Sequence, residues 1–162
     1  MSFSESVGDS QISGDFSQLE NLISELDAGY YVDIGILGDG EVTPEGDSLA
    51  EIGAKHEFGS IADKLPQRSF IKMPLEAKQS EISQKAESGM QAKLEAGDVE
   101  GIFRDIGIAG EAAIGEAFDT GGFGTWKALS ERTKDQKGSD AILIDEGHLR
   151  RSITSEVGRG NT

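Results

Sequence analysis

Hydrophobic residues recur along this chain at two spacings, and the switch between them divides it into elements. Leu19, Leu22, Ile23 and Leu26 fall at i, i+3, i+4 and i+7, one face of a helix over about 17–27 that Gly29 ends. Tyr30, Val32, Ile34 and Ile36 then alternate with Tyr31, Asp33 and Gly35, the period of a half-buried strand over 30–37. Gly38-Asp39-Gly40-Glu41 and Pro44-Glu45-Gly46-Asp47 make a polar loop. Ser48 is a good cap for a helix through Leu49 and Ile52 to about Phe58. Gly59 to Arg68 reads as loop, and Ser69 to Met73 as a short extended piece.

The second half reads as longer helices and one returning strand. Pro74 suits a first helical position, and Leu75 to about Ala96 is rich in Glu, Lys, Gln and Ala, all strong helix formers. Leu75, Ile82, Met90 and Leu94 give that helix only a thin apolar stripe. Gly97-Asp98 breaks it, and Val99 to about Phe118 forms the next, with Ile102, Phe103, Ile106 and Ile114 on its face. Gly101, Gly107, Gly110 and Gly115 each cost roughly 1 kcal/mol there against Ala. So many in one helix predict the close approach of another backbone, such as a neighbouring subunit's. Thr120 to Gly124 is loop, Ala128 to Lys137 a short basic helix, and Ile142 to Val157 a turn-containing strand region.

Strands near 30–37 and 151–157 lie at opposite ends of the chain, and pairing them closes the fold. The expected class is α+β: a small mixed or antiparallel sheet with helices packed over it, one domain over 17–162. Residues 1–16 spread Val7, Ile12 and Phe16 among Ser, Gly and acids. That is too little apolar surface to offset the entropy of ordering, so they are expected to be an arm ordered only by a neighbouring subunit or partner.

Charge changes the picture most. Lys and Arg total 15 against 30 acids, a net charge of −15. Residues 1–60 hold 13 acids and a single base, Lys55, whereas 61–162 hold 17 acids and 14 bases. Phosphate binding needs clustered cations, so the surface is not one built to grip nucleic acid. A negative wall can still let DNA slide past, or simply keep the protein soluble. No apolar run is long enough to span a membrane, and the opening MSFSESVGDSQ has neither the basic start nor the apolar stretch of a signal peptide. The absence of Cys removes disulfides, thiolate metal sites and Cys nucleophiles together.

Catalytic and cofactor patterns are not found. His56 and His148 have no ligand-like spacing, and His56-Glu57 lacks the second His of a zinc-protease helix. Gly35-x-x-Gly38-x-Gly40 follows a strand but runs into Thr43-Pro44-Glu45, without the helix a dinucleotide site needs. Gly121-Gly122-Phe123-Gly124 lacks the Lys-Ser/Thr of a phosphate loop. Asp39, Glu41, Glu45 and Asp47 miss the calcium-loop pattern, with Gly and Pro where ligands belong. No enzyme activity, metal or cofactor is expected.

Two segments instead combine a turn with anchoring side chains. The first is Ala54-Lys55-His56-Glu57-Phe58-Gly59 followed by Pro66-Gln67-Arg68-Ser69-Phe70. The second is Trp126-x-x-Leu129-Ser130 followed by Leu143-Ile144-Asp145-x-Gly147-x-Leu149-Arg150-Arg151-Ser152. In the second, Asp145 can accept backbone N–H bonds from a turn that Gly147 relieves. The first segment resembles the His-Glu-Phe-Gly … Pro-x-Arg-x-Phe signature of tailed-phage tail-completion and virion-morphogenesis proteins. The second resembles their Trp-x-x-Leu-Ser … Leu-Ile-Asp-Thr-Gly-x-Leu-Arg-x-Ser signature, with Glu146 standing where the family has Thr.

The resemblance implies a structural virion protein: a ring subunit, commonly sixfold, of the head–tail neck. Its partners would be copies of itself, the portal adaptor and the tail tube, with genome DNA passing nearby and not held tightly. It would assemble in the host cytoplasm and reside in the virion, with no membrane partner. His56, Glu57, Phe58, Arg68, Phe70, Trp126, Asp145, Leu149, Arg150 and Arg151 are the candidate subunit or partner contacts. Aromatic and aliphatic members of that set are more often core than surface anchors, while Arg beside aromatics is favoured at interfaces. The alternative is a binding module, an acidic DNA mimic or inhibitor, although the 14 bases after residue 60 interrupt the carboxylate array a mimic needs. A small hydrolase is the third class and lacks a catalytic constellation.

Overall fold

The computed structural model of the chain describes residues 17–38, 42–43, 46–128 and 147–160. The arm over 1–16, the helix expected over 128–137 beyond its first residue, and Asp145 lie outside the described residues. The alternation over 30–37 produces strand β1 (Tyr30–Ile36). It pairs antiparallel with β2 (Ile153–Arg159) in a register running from Tyr30 opposite Arg159 to Ile36 opposite Ile153. The two ends of the chain therefore meet in one sheet, as the period-2 patterns require. Tyr31, Asp33, Thr154 and Glu156 face solvent, while Val32, Ile34, Ile36 and Ile153 turn inward.

Six helices accompany the sheet among the described residues, giving an α+β fold. Helix α1 (Ser17–Asp27) precedes β1, and α2 (Leu49–Phe58) starts at Ser48, whose Oγ accepts from the Glu51 N–H at 3.3 Å. Then come α3 (Lys72–Ala77), α4 (Gln79–Glu95), α5 (Val99–Thr120) and a single turn, α6 (His148–Arg151). Between α4 and α5, Gly97 takes the left-handed conformation that closes a helix, and Asp98 caps the next by accepting from the Gly101 N–H at 2.9 Å. No helix among the described residues is long and apolar enough to cross a membrane.

Helix α5 packs against both strands, α3 and α4, and its glycines explain how it comes so close. A Cβ on Gly107 would lie 2.5 Å from Ser155 Oγ, and one on Gly110 would lie 2.5 Å from Ile34 Cδ1. The close approach predicted from these glycines is thus made by this chain's own sheet side chains, not by the backbone of a neighbour. Phe70, Ile114, Phe118 and Leu149 form the buried cluster, with Ile34, Ile36, Leu75, Trp126 and Ile153 packed around it. Each fully buried side chain of this size contributes about 1.5–3 kcal/mol.

Three expectations are corrected. The helix foreseen from Leu75 to Ala96 is two, α3 and α4, separated at Lys78, which leaves helical geometry while its ammonium reaches Glu81 at 3.0 Å and Glu116 at 3.1 Å. Pro74 is the third residue of α3, not the first, and the expected extended piece does not reach Met73, because the chain bends at Phe70 and Ile71 is already in helical conformation. The cause lies far away in sequence: the Glu57 carboxylate takes the N–H groups at the start of α3, so the helix begins two residues early. Finally, β2 starts at Ile153, because Arg150 and Arg151 belong to the turn of α6 and only lead into the strand.

Candidate interaction site

Glu57 sits on the inward face of α2, four residues beyond Gly53 and eight beyond Leu49, all three buried. Gly53 lets that face approach the core: a Cβ there would meet Ile36 Cδ1 at 2.7 Å and Leu149 Cδ1 at 3.5 Å. The Glu57 carboxylate accepts four hydrogen bonds, from Ser69 Oγ and Phe70 N at 2.7 Å, Ile71 N at 2.9 Å and Lys72 N at 3.1 Å. A buried carboxylate needs such a donor set, and the N-terminus of a helix supplies it.

Gly59 ends α2 with a positive φ of 78° and lets the chain double back. Its Cβ position lies 3.0 Å from Gln67 N, so a larger residue would crowd that backbone as well as strain at the positive φ. The Arg68 N–H then donates to the His56 carbonyl at 2.8 Å, and Gln67 Nε2 to the Glu57 carbonyl at 3.1 Å. The buried Arg68 guanidinium donates through Nε and Nη2 to the Lys127 carbonyl at 3.1 and 3.0 Å. Burial pushes its pKa below the ordinary value.

Trp126 answers from the other segment. Its Nε1 donates to the Ser69 carbonyl at 3.1 Å, and its ring stands edge-on to Phe118, 5.8 Å between centroids. Phe118 in turn tilts against Phe70 at 5.5 Å. Leu149 closes the same cluster from α6, and the buried Ser152 fastens that turn by donating to the Leu149 carbonyl at 2.9 Å. The two segments singled out in the sequence, 59 residues apart at Arg68 and Lys127, thus share one joint.

The candidate residues divide into two groups. Glu57, Arg68, Phe70 and Leu149 are interior residues of the subunit, with Trp126 and His56 half-buried beside them. Glu57, Arg68, Phe70, Trp126 and Leu149 tie the two segments together within the chain, and the His56 carbonyl accepts from the Arg68 N–H. Phe58, Arg150 and Arg151 are at the surface. Phe58 is 74% exposed. Arg150 makes a two-pronged ion pair with Asp119 at 2.6 and 2.9 Å, and the Arg151 guanidinium lies 3.4 Å from His148 Nδ1.

Sequence reasoning missed Ile61, which is 99% exposed at the apex of the turn after α2. The available signal was Ser60-x-x-Asp63, a side-chain-capped turn that fixes whatever it displays. It also missed Asp119 as the partner of Arg150, a pairing that only the packing of α6 on α5 reveals. Among the described residues, no three His, Asp or Glu side chains converge as metal ligands would. The chain matches no family model, and no curated protein or solved structure matches it either.

Proposed function

We propose that this chain is a structural virion protein of a tailed phage, a ring subunit of the neck that joins the head portal to the tail. Its work is assembly: copies of the chain contact each other, the portal adaptor and the tail tube, and the genome passes through without being held. It assembles in the host cytoplasm and ends in the particle. The observation that carries the reading is the joint between the two signature segments. Arg68 and Ser69 of the first bond to Lys127 and Trp126 of the second, and Phe70 and Leu149 share their core. Chance likenesses scattered along a chain have no reason to converge, whereas the signature of one fold does, since its members hold each other in place.

The reading is tested in infected cells. Deleting the gene should leave filled heads and complete tails unattached, and supplying the protein should restore joined particles that contain it. Normal particles made without the chain, or joined particles from which it is absent, would overturn the reading. A monomer or dimer that copurifies with a basic host enzyme would favour the acidic binding module instead.

A further inference from the structure

Helix α1 carries its apolar repeat on the outside. Leu19, Ile23 and Leu26, spaced i, i+4 and i+7, are 51%, 57% and 53% exposed. Of the four apolar residues in its repeat, only Leu22 is half-buried. The helix is nevertheless moored to the body near its C-terminal end, where the Glu25 carboxylate accepts from Arg159 at 2.8 Å and from the Tyr30 hydroxyl. The fold thus fixes a contiguous apolar stripe and leaves it in water. That spacing is the one by which a helix anchors in an apolar groove, and a helix already formed and held loses less entropy on docking.

Charge decides what kind of groove fits. At about 3.6 residues per turn, Glu20 and Asp27 fall side by side about a quarter-turn from the stripe, on the flank opposite Leu22 and Glu25. Both are exposed. No Lys or Arg precedes Lys55 in the chain, so neither α1 nor the residues before it supply a cation. Helices that lie on membranes set Lys or Arg beside the apolar face, and phosphate binding needs clustered cations. Anionic headgroups and nucleic acid would instead be repelled here. A second copy of the stripe would bring the same two carboxylates, on a chain of net charge −15. The arm over 1–16 adds Glu5, Asp9 and Asp15 without a base and is unsuited for the same reason.

We propose that α1 docks through Leu19, Ile23 and Leu26 into an apolar groove of a different protein, one whose rim carries Lys or Arg where it meets Glu20 and Asp27. The contact goes beyond the neck reading and does not depend on ring formation.

A synthetic helical peptide with Leu at the a and d positions of its heptads and Lys at e and g tests it, since it offers an apolar seam bordered by cations. A second peptide has Glu in place of every Lys. Fluorescence anisotropy of each labelled peptide is read as the purified full chain is added. Wild type should bind the Lys peptide at least about tenfold more tightly than the Glu peptide. Ile23→Ser should weaken binding of the Lys peptide at least about tenfold, the scale of an interface anchor. The double variant Glu20→Lys, Asp27→Lys should reverse the preference between peptides. It retains the whole stripe, so it reads the interface even where Ile23→Ser unwinds α1. A Lys peptide that fails to bind wild type, or that binds either variant equally well, would overturn the proposal. Ile23-dependent binding of wild type to phosphatidylcholine vesicles would overturn it in favour of a lipid surface. Ile23-dependent dimerisation in sedimentation would overturn it in favour of a second copy.

Discussion

Glu57 shows how one side chain can set the boundary of a distant element. Its carboxylate replaces the missing hydrogen-bond partners of Phe70, Ile71 and Lys72, and so decides where α3 begins. Glu57→Gln keeps the volume but turns an NH₂ toward those donors. We expect it to destabilise the chain by about 3 kcal/mol, the scale of losing charged hydrogen bonds and stranding a buried N–H. That corresponds to a Tm lowered by roughly 10 °C in a chain of this size. Glu81→Gln, which weakens only the exposed pair with Lys78, should stay within about 0.5 kcal/mol. Calorimetry of both variants checks the contrast, and equal losses would refute it. Asp63 gives the pH dependence of the turn that carries Ile61. The Ser60 hydroxyl, and then Lys55, hold its pKa below the ordinary value of 3.8. A carboxylate with a depressed folded pKa stabilises at pH above its unfolded value, and that contribution fades as pH falls through the folded one. The turn should therefore stay ordered through neutral pH and loosen only below 3.8, as Ile61 methyl relaxation in a pH series would reveal. Loosening already between pH 5 and 7 would contradict the assignment.

At the scale of elements, α5 separates glycines that are needed from one that is not. Gly110→Ala drives a methyl into Ile34 and Leu75, and overpacking of this kind costs about 1–3 kcal/mol. At Gly115 the nearest atom to a new Cβ is the flexible end of Arg150 at 3.8 Å, so Gly115→Ala should stabilise by up to about 1 kcal/mol from helix propensity. Urea unfolding of the pair checks the opposite signs. The same helix marks the limit of what the sequence discloses. Period-2 alternation at Tyr30–Ile36 and the apolar repeat at Leu19–Leu26 are local signals, and both elements appear where those signals lie. The glycine count announced a close approach but not its source, since only packing brings Ser155 and Ile34 to the helix. The start of α3 and the break at Lys78 were illegible for the same reason: a carboxylate 15 residues upstream caps one, and Glu116 of α5 holds the side chain at the other. In the candidate site, the segments carrying Glu57, Arg68, Trp126 and Leu149 were legible as motifs. That their side chains face inward, while Phe58 and Ile61 face out, was not, because burial depends on what the fold brings opposite.

At the scale of the whole molecule, the outer face of the sheet breaks a local rule. Asp33 lies directly opposite Glu156 in the register, and both are exposed, although like charges across a strand pair are destabilising. Solubility alone would be served as well by an ion pair at this position, which makes the Asp33–Glu156 pair a place to test for repulsion of a polyanion. Were this face to border the DNA passage of the proposed ring, its carboxylates would repel the duplex over only about 8 Å at physiological salt. That reach would keep DNA from adhering without blocking a passage wide enough for it, whereas cations there would neutralise phosphates and hold the strand. Assembled wild-type protein should therefore retain no duplex DNA even at about 50 mM salt, where phosphate contacts are strong. The double variant Asp33→Lys, Glu156→Lys should retain it, with affinity falling steeply as salt rises, and virions carrying it should release their genome more slowly. Filter binding on rings of both forms, with timed ejection from the corresponding particles, separates the possibilities. If the variant rings bind DNA but ejection is unchanged, the strip lies on the outside of the ring and the passage assignment fails. If wild-type rings already bind duplex tightly, repulsion is not the function of this face at all.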